Sequence, residues 1–248
     1  MSVARRRAGR GIGWRRAVAA LAPVLLAALA MLAAGAQRSA SEPAGAQELE
    51  EWLAQADRLA RDGRVAEAVQ AYQALLMRAE SVVPGDVAGQ SPSFSRVVGG
   101  RIGQLDPQAM RLYRALYDPQ AEAIFRPAVA ELDRAALTRV VAHYFHTSVG
   151  DRALDVLAGM QFDQARYAEA ARAWQRVLDR TSPPSLARPL LLAKAAVAWH
   201  LAGVPRLRDG RLVELAEKFP DASAVLAGRE QNVLAFTRAA CAPAEDRP

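Results

Sequence analysis

The sequence predicts an all-α protein built from antiparallel helix hairpins. Three observations predict it. Apolar residues recur at spacings of three and four, as in Leu49, Trp52, Leu53, Ala56, Leu59 and Ala60, the period of a helix with one buried face. Several segments open on an aspartate followed by proline or a helical run, a start signal because the first helical residue needs no donor. No stretch sustains period-two alternation of β-branched residues, so no sheet is expected.

The elements follow in order. Residues 47–60 form the first helix, and Asp62-Gly63-Arg64 breaks it. Val65, Ala68, Val69, Tyr72, Leu75 and Leu76 resume the helical spacing, which makes a hairpin with a glycine turn. Residues 84–103 hold five glycines and two prolines and read as a loop, with a short helix around 94–102. Asp106-Pro107 opens a helix to about Tyr117, Asp118-Pro119 a second to about Leu132, and Asp133 a third to about Phe145. Thr147 or Ser148 caps the next, over 149–164, and another covers 168–179. The proline-rich run 181–189 separates these from helices at 190–202, 206–218 and 222–239, and residues 241–248 form a disordered tail.

Charge is concentrated at one end. The 248 residues carry 32 basic and 26 acidic side chains. Arg5, Arg6, Arg7, Arg10, Arg15 and Arg16 precede residue 37 and no acid does, so without those six the basic and acidic counts are equal, at 26 each. The surplus therefore belongs to the leader and indicates no nucleic-acid surface. Residues 17–36 are uncharged and end in Ala34-Gly35-Ala36. A basic start, an apolar middle and small residues at the end form an export signal; the alternative is an uncleaved anchor, since twenty such residues can span a bilayer. Arg15-Arg16 fits the twin-arginine pattern poorly, and no cysteine follows for lipidation. Residues 37–46 form a linker. The 30 arginines against two lysines suggest a GC-rich bacterial genome.

Two stretches align: AQADRLARDGRVAEAVQAYQALL (54–76) and VLAGMQFDQARYAEAARAWQRVL (156–178). Their turn residues Gly63 and Ala165 are 102 apart, three periods of a 34-residue repeat. This resembles the tetratricopeptide (TPR) repeat. The resemblance places Trp52, Leu59, Gly63, Ala68 and Tyr72 at signature or turn positions, matched by Leu154, Leu157, Ala165, Ala170 and Trp174. It implies an α-solenoid in which the small residue lets the two helices approach. Ala56 and Ala158 depart from a usual glycine, as does Ala165 at the turn. A third copy runs through LLAKAAVAWHLAGVPRLRDGRLVELAEKFPDA with Gly203 at its turn, although Arg208 stands where a small residue belongs. Residues 84–148 match no copy. The order of YRALYDPQAEAIF, VVAHYFHTSVGDRALDVLAG and FPDASAVLAG also resembles the helical N-terminal half of exported bacterial proteins that end in a quinoprotein-like β-propeller. That resemblance implies a helical module of a truncated or split envelope assembly protein.

Residues suited to chemistry are few. His143 and His146 have a spacing that can serve one metal, but only His200 joins them and no carboxylates cluster nearby. His146 at a helix end is expected to pair with the helix dipole, and His143 to be half-buried. The single cysteine, Cys241, is expected as a free thiol on the tail. Gly99-Gly100-Arg101-Ile102-Gly103 lacks the Lys-Ser/Thr ending of a phosphate loop, and Ser91, Ser93 and Ser95 lack a nucleophile context. No catalytic residue, metal or cofactor is therefore expected. By the TPR resemblance, the first helix of each hairpin lines a concave face carrying Asp57 and Arg61, then Arg152 and Asp155, then Lys194 and His200. Mixed charge there suits a protein or peptide partner in the periplasm or cell envelope, with membrane contact only through the leader.

Overall fold

The computed structural model describes residues 46–82, 94–180, 185–226 and 228–242. The expected leader, most of the linker, the centre of the Gly/Pro-rich loop and the end of the tail lie outside the described residues. Those described form α1 (Ala46–Arg61), α2 (Val65–Val82), α3 (Phe94–Gly103), α4 (Pro107–Ala130), α5 (Arg134–His143), α6 (Gly150–Asp163), α7 (Tyr167–Leu178), α8 (Arg188–Leu201), α9 (Pro205–Lys218), β1 (Ser223–Leu226), β2 (Arg229–Asn232) and α10 (Val233–Ala240). The protein is mostly helical, consistent with an all-α class.

Four helix pairs share one turn. Gly63, Leu132, Ala165 and Gly203 have φ of 74°, 53°, 57° and 71°. After each, the next amide reaches back five residues: Arg64 to Leu59 at 3.0 Å, Asp133 to Ala128 at 2.8 Å, Arg166 to Gln161 at 2.9 Å and Val204 to Trp199 at 3.0 Å. This left-handed cap satisfies carbonyls that the helix end leaves open. The aligned turns Gly63 and Ala165 are therefore the same backbone structure. The turn at Leu132 joins α4 to α5 and lies 33 residues before Ala165. Its bulky residue hides it from a search for glycine or alanine.

Asp106 and Asp133 cap helices as expected. Asp106 Oδ1 accepts from the amides of Gln108 and Ala109, and Asp133 Oδ1 from those of Ala135 and Ala136. Three expectations are corrected. Asp118-Pro119 opens no helix, because α4 runs through both Pro119 and Pro127. The Asp118 carboxylate instead accepts the amide of Ser148 at 2.9 Å. Neither Thr147 nor Ser148 caps α6; the cap is Val149, with no side-chain bond. The helix expected over 222–239 is a hairpin followed by a shorter helix. Ser223 pairs with Asn232 and Leu226 with Arg229 in an antiparallel register. Gly228, with φ of 77°, supplies the turn, and Asn232 accepts the Ala235 amide at 2.8 Å to start α10.

Two apolar clusters form the core. One gathers Leu49, Val69, Leu75, Val98, Ile102 and Tyr113 from α1–α4. The other gathers Phe125, Leu137, Leu157, Val177, Leu192 and Leu215 from α4 onward. Tyr117, midway along α4, packs against both. Ala68 and Ala170 have no exposed surface, as close helix contact requires.

Candidate functional site

Each aligned hairpin ties its second helix to an aspartate on its first, and that aspartate to a cation on the helix after it. In the first, the Tyr72 hydroxyl donates to Asp57 Oδ1 at 2.7 Å, and Arg101 Nε of α3 donates to Oδ2 at 3.2 Å. In the second, Trp174 Nε1 donates to Asp155 Oδ1 at 2.7 Å, and Lys194 Nζ of α8 donates to both Asp155 oxygens at 2.7 and 2.9 Å. Burial, and then the bond to Asp57, push the Tyr72 phenol well above its ordinary range. It is a fixed donor. The cations keep nearly half of their side-chain surface in water, 46% for Arg101 and 44% for Lys194, so these pairs present charge outward while adding little stability.

Arg61 sits beside the first pair, its Nε donating to the Asp57 carbonyl at 3.2 Å. Arg152 places its guanidinium 4.8 Å from the centre of the Phe125 ring. His200 Nδ1 is 3.4 Å from Arg208 Nη1. It lines an open groove with Asp209, Leu212, Arg238 and Cys241. The structure thus joins Asp57 with Arg61 and Asp155 with Lys194, and turns Arg152 and His200 to other neighbours. Arg101, absent from the sequence expectation, completes the first pair. Its signal was available only as the counterpart of Lys194 on a following helix.

His143 ends α5, and residues 144–147 lead from it toward α6 as a buried connection. Carbonyls along this stretch are met by side chains from earlier helices: that of His143 by Gln73 Nε2 at 3.1 Å, that of His146 by Arg114 Nε at 3.3 Å. The Tyr113 hydroxyl donates to Gln73 Oε1 at 3.1 Å. His146 packs edge-on to Phe145 and against α3, where a Cβ on Gly103 would come within 2.8 Å of its Cε1. The glycine run therefore receives the second histidine of the spaced pair, His146. Burial, with Arg180 and Arg176 nearby, lowers the His146 imidazole to about 3. It is neutral, which corrects the expected cationic partner of a helix dipole. His143 is buried rather than half-buried, at 3% exposure. Cys241 is also buried, beneath the groove rather than on a loose tail.

Among the described residues no three His, Cys, Asp or Glu side chains gather as a metal site, and no helix is long and apolar enough to cross a membrane. Comparison with known protein families, with curated proteins and with solved structures returned no match.

Proposed function

We propose that the chain is a non-enzymatic scaffold of TPR-like hairpins that holds a protein or peptide partner in a bacterial cell envelope. The observation that carries this reading is the repeated Asp57–Tyr72–Arg101 and Asp155–Trp174–Lys194 wiring. The same three roles recur on first helix, second helix and next helix, as expected when one structural unit is used twice. Each copy leaves a half-exposed cation beside a carboxylate, a pattern that can pair with the charges and amides of an extended peptide. The apolar leader supports export.

A photo-crosslinking side chain placed at Arg61, at Lys194 and at the exposed Arg126 of α4 tests it in envelope extract. Crosslinks to a common partner from Arg61 and Lys194, with none from Arg126, are expected. Equal yields from all three positions overturn the proposed face.

A further inference from the structure

We propose that the arginines gathered around Phe145 form a binding site for a phosphate ion or a phosphoryl group. Two of them share that ring: the guanidinium carbon lies 4.3 Å from its centre for Arg176 and 5.0 Å for Arg180. Arg114 holds the carbonyl of the next residue, His146, at 3.3 Å. Arg96, on α3, is close enough to Arg176 to repel it. Three cations from α4 and the α7 region thus converge on one connecting segment, and Arg96 of α3 adds its charge to that of Arg176.

Opposite charge is scarce there. The carboxylate paired with this group is Asp151, 3.4 Å from Arg180 Nη1. Asp151 also accepts the amide and the hydroxyl of Ser185. Arg180 has only 2% of its side chain exposed, and among the described residues its Nε and Nη2 make no hydrogen bond. These two atoms share one edge of the guanidinium, the fork that matches two oxygens of an oxyanion. A buried cation with an unused fork is costly to maintain, and an oxyanion accepting both protons removes that cost. Four guanidinium groups against the two carboxylates of this segment, Asp151 and the Asp118 that accepts the Ser148 amide, leave a surplus that a dianion neutralises better than a monoanion. Arg96 and Arg176 are exposed and give the approach from solvent. None of these residues belongs to the aspartate-centred pairs of the proposed partner face.

The test is a titration of the full chain with sodium phosphate at constant ionic strength, read by calorimetry and by the thermal midpoint. Saturable binding with a rising midpoint is expected. Arg176→Gln and Arg96→Gln, both at exposed positions, should each weaken it by about tenfold, the effect of one lost charge-assisted bond. Arg126→Gln should leave it unchanged. Glycerol phosphate binding as tightly as inorganic phosphate assigns the site to a phosphoryl group; binding of the free ion alone assigns it to phosphate. No saturable binding, equal weakening by Arg126→Gln, or acetate competing at the same concentration as phosphate would each overturn the proposal.

Discussion

The imidazole of His146 rests on the bare face of α3 at Gly103, where an added Cβ would lie 2.8 Å from its Cε1. The ring is buried and also contacts Phe145, so it has little room to yield. Gly103→Ala should therefore destabilise the protein by about 1–3 kcal/mol through overpacking. Gly100, three residues earlier on the same helix, is exposed and has nothing within 4 Å of its added Cβ. Gly100→Ala should stabilise by roughly 0.5–1 kcal/mol through helix propensity. Urea unfolding of both variants checks the contrast, and effects of the same sign would refute the contact.

The same histidine gives the fold a pH dependence. The unfolded chain protonates a histidine as pH falls through about 6.5, whereas the native imidazole waits until about 3. Between those values the unfolded state binds more protons, so acid favours unfolding. The contribution is whole above 6.5 and is lost at about 1.4 kcal/mol per pH unit below it, roughly 2 kcal/mol by pH 5. His146→Gln should flatten the stability profile between pH 7 and 5. A variant with the wild-type slope would show that the ring is solvated.

The four left-handed turns differ in what they cost. Glycine adopts positive φ freely, whereas Leu132 and Ala165 do so at about 1–2 kcal/mol each. Leu132→Gly and Ala165→Gly should each stabilise by about 1 kcal/mol, since Leu132 is 64% exposed and gives up little packing. Gly63→Ala should destabilise by a similar amount. Thermal midpoints that order otherwise would count against the shared turn.

What the sequence made legible follows from how local the determinants are. Asp106 and Asp133 cap helices through amides two and three residues away, and such signals read directly. The hairpin turns at Gly63 and Gly203 read equally well. Leu132 does not, because the backbone there is imposed by the packing of α4 against α5 rather than by the residue. Pro119 looked like a helix start, yet α4 continues through it because both of its halves are anchored in apolar clusters. The groups around His146 come from α3, α4 and the α7 region, and no spacing along the chain announces them. Asp57 and Asp155 are legible as members of a charged face. Their partners Tyr72 and Trp174 stand in the sequence only as signature positions of the repeat, although each carries the donor that fixes its aspartate.

Those two donors allow a matched test. Tyr72→Phe removes the hydroxyl that meets Asp57, and Trp174→Phe removes the indole N–H that meets Asp155. Each should cost about 1–3 kcal/mol, with the larger loss at Trp174, because the smaller ring also leaves space in the core. Asp57→Asn combined with Tyr72→Phe should cost less than the two single losses added together. Additive losses would mean that the tyrosine and the aspartate do not act as a pair.

Asp151 and Arg180 form a buried pair, with 1% and 2% of their side chains exposed. Removing one partner from such a pair costs more than removing both, because the survivor keeps its desolvation penalty without its counterion. Asp151→Asn should destabilise by about 3–5 kcal/mol, since it leaves Arg180 charged among Phe145, Arg176 and Arg114. The guanidinium is held below its ordinary range by burial first, and the Asp151 charge opposes that shift. Asp151→Asn with Arg180→Met should recover part of that loss, because the methionine can fill the same volume without a charge. Chemical denaturation of the two variants gives the comparison. If the double variant is no more stable than Asp151→Asn alone, the bonds from Ser185 to Asp151 carry the stability instead of the ion pair.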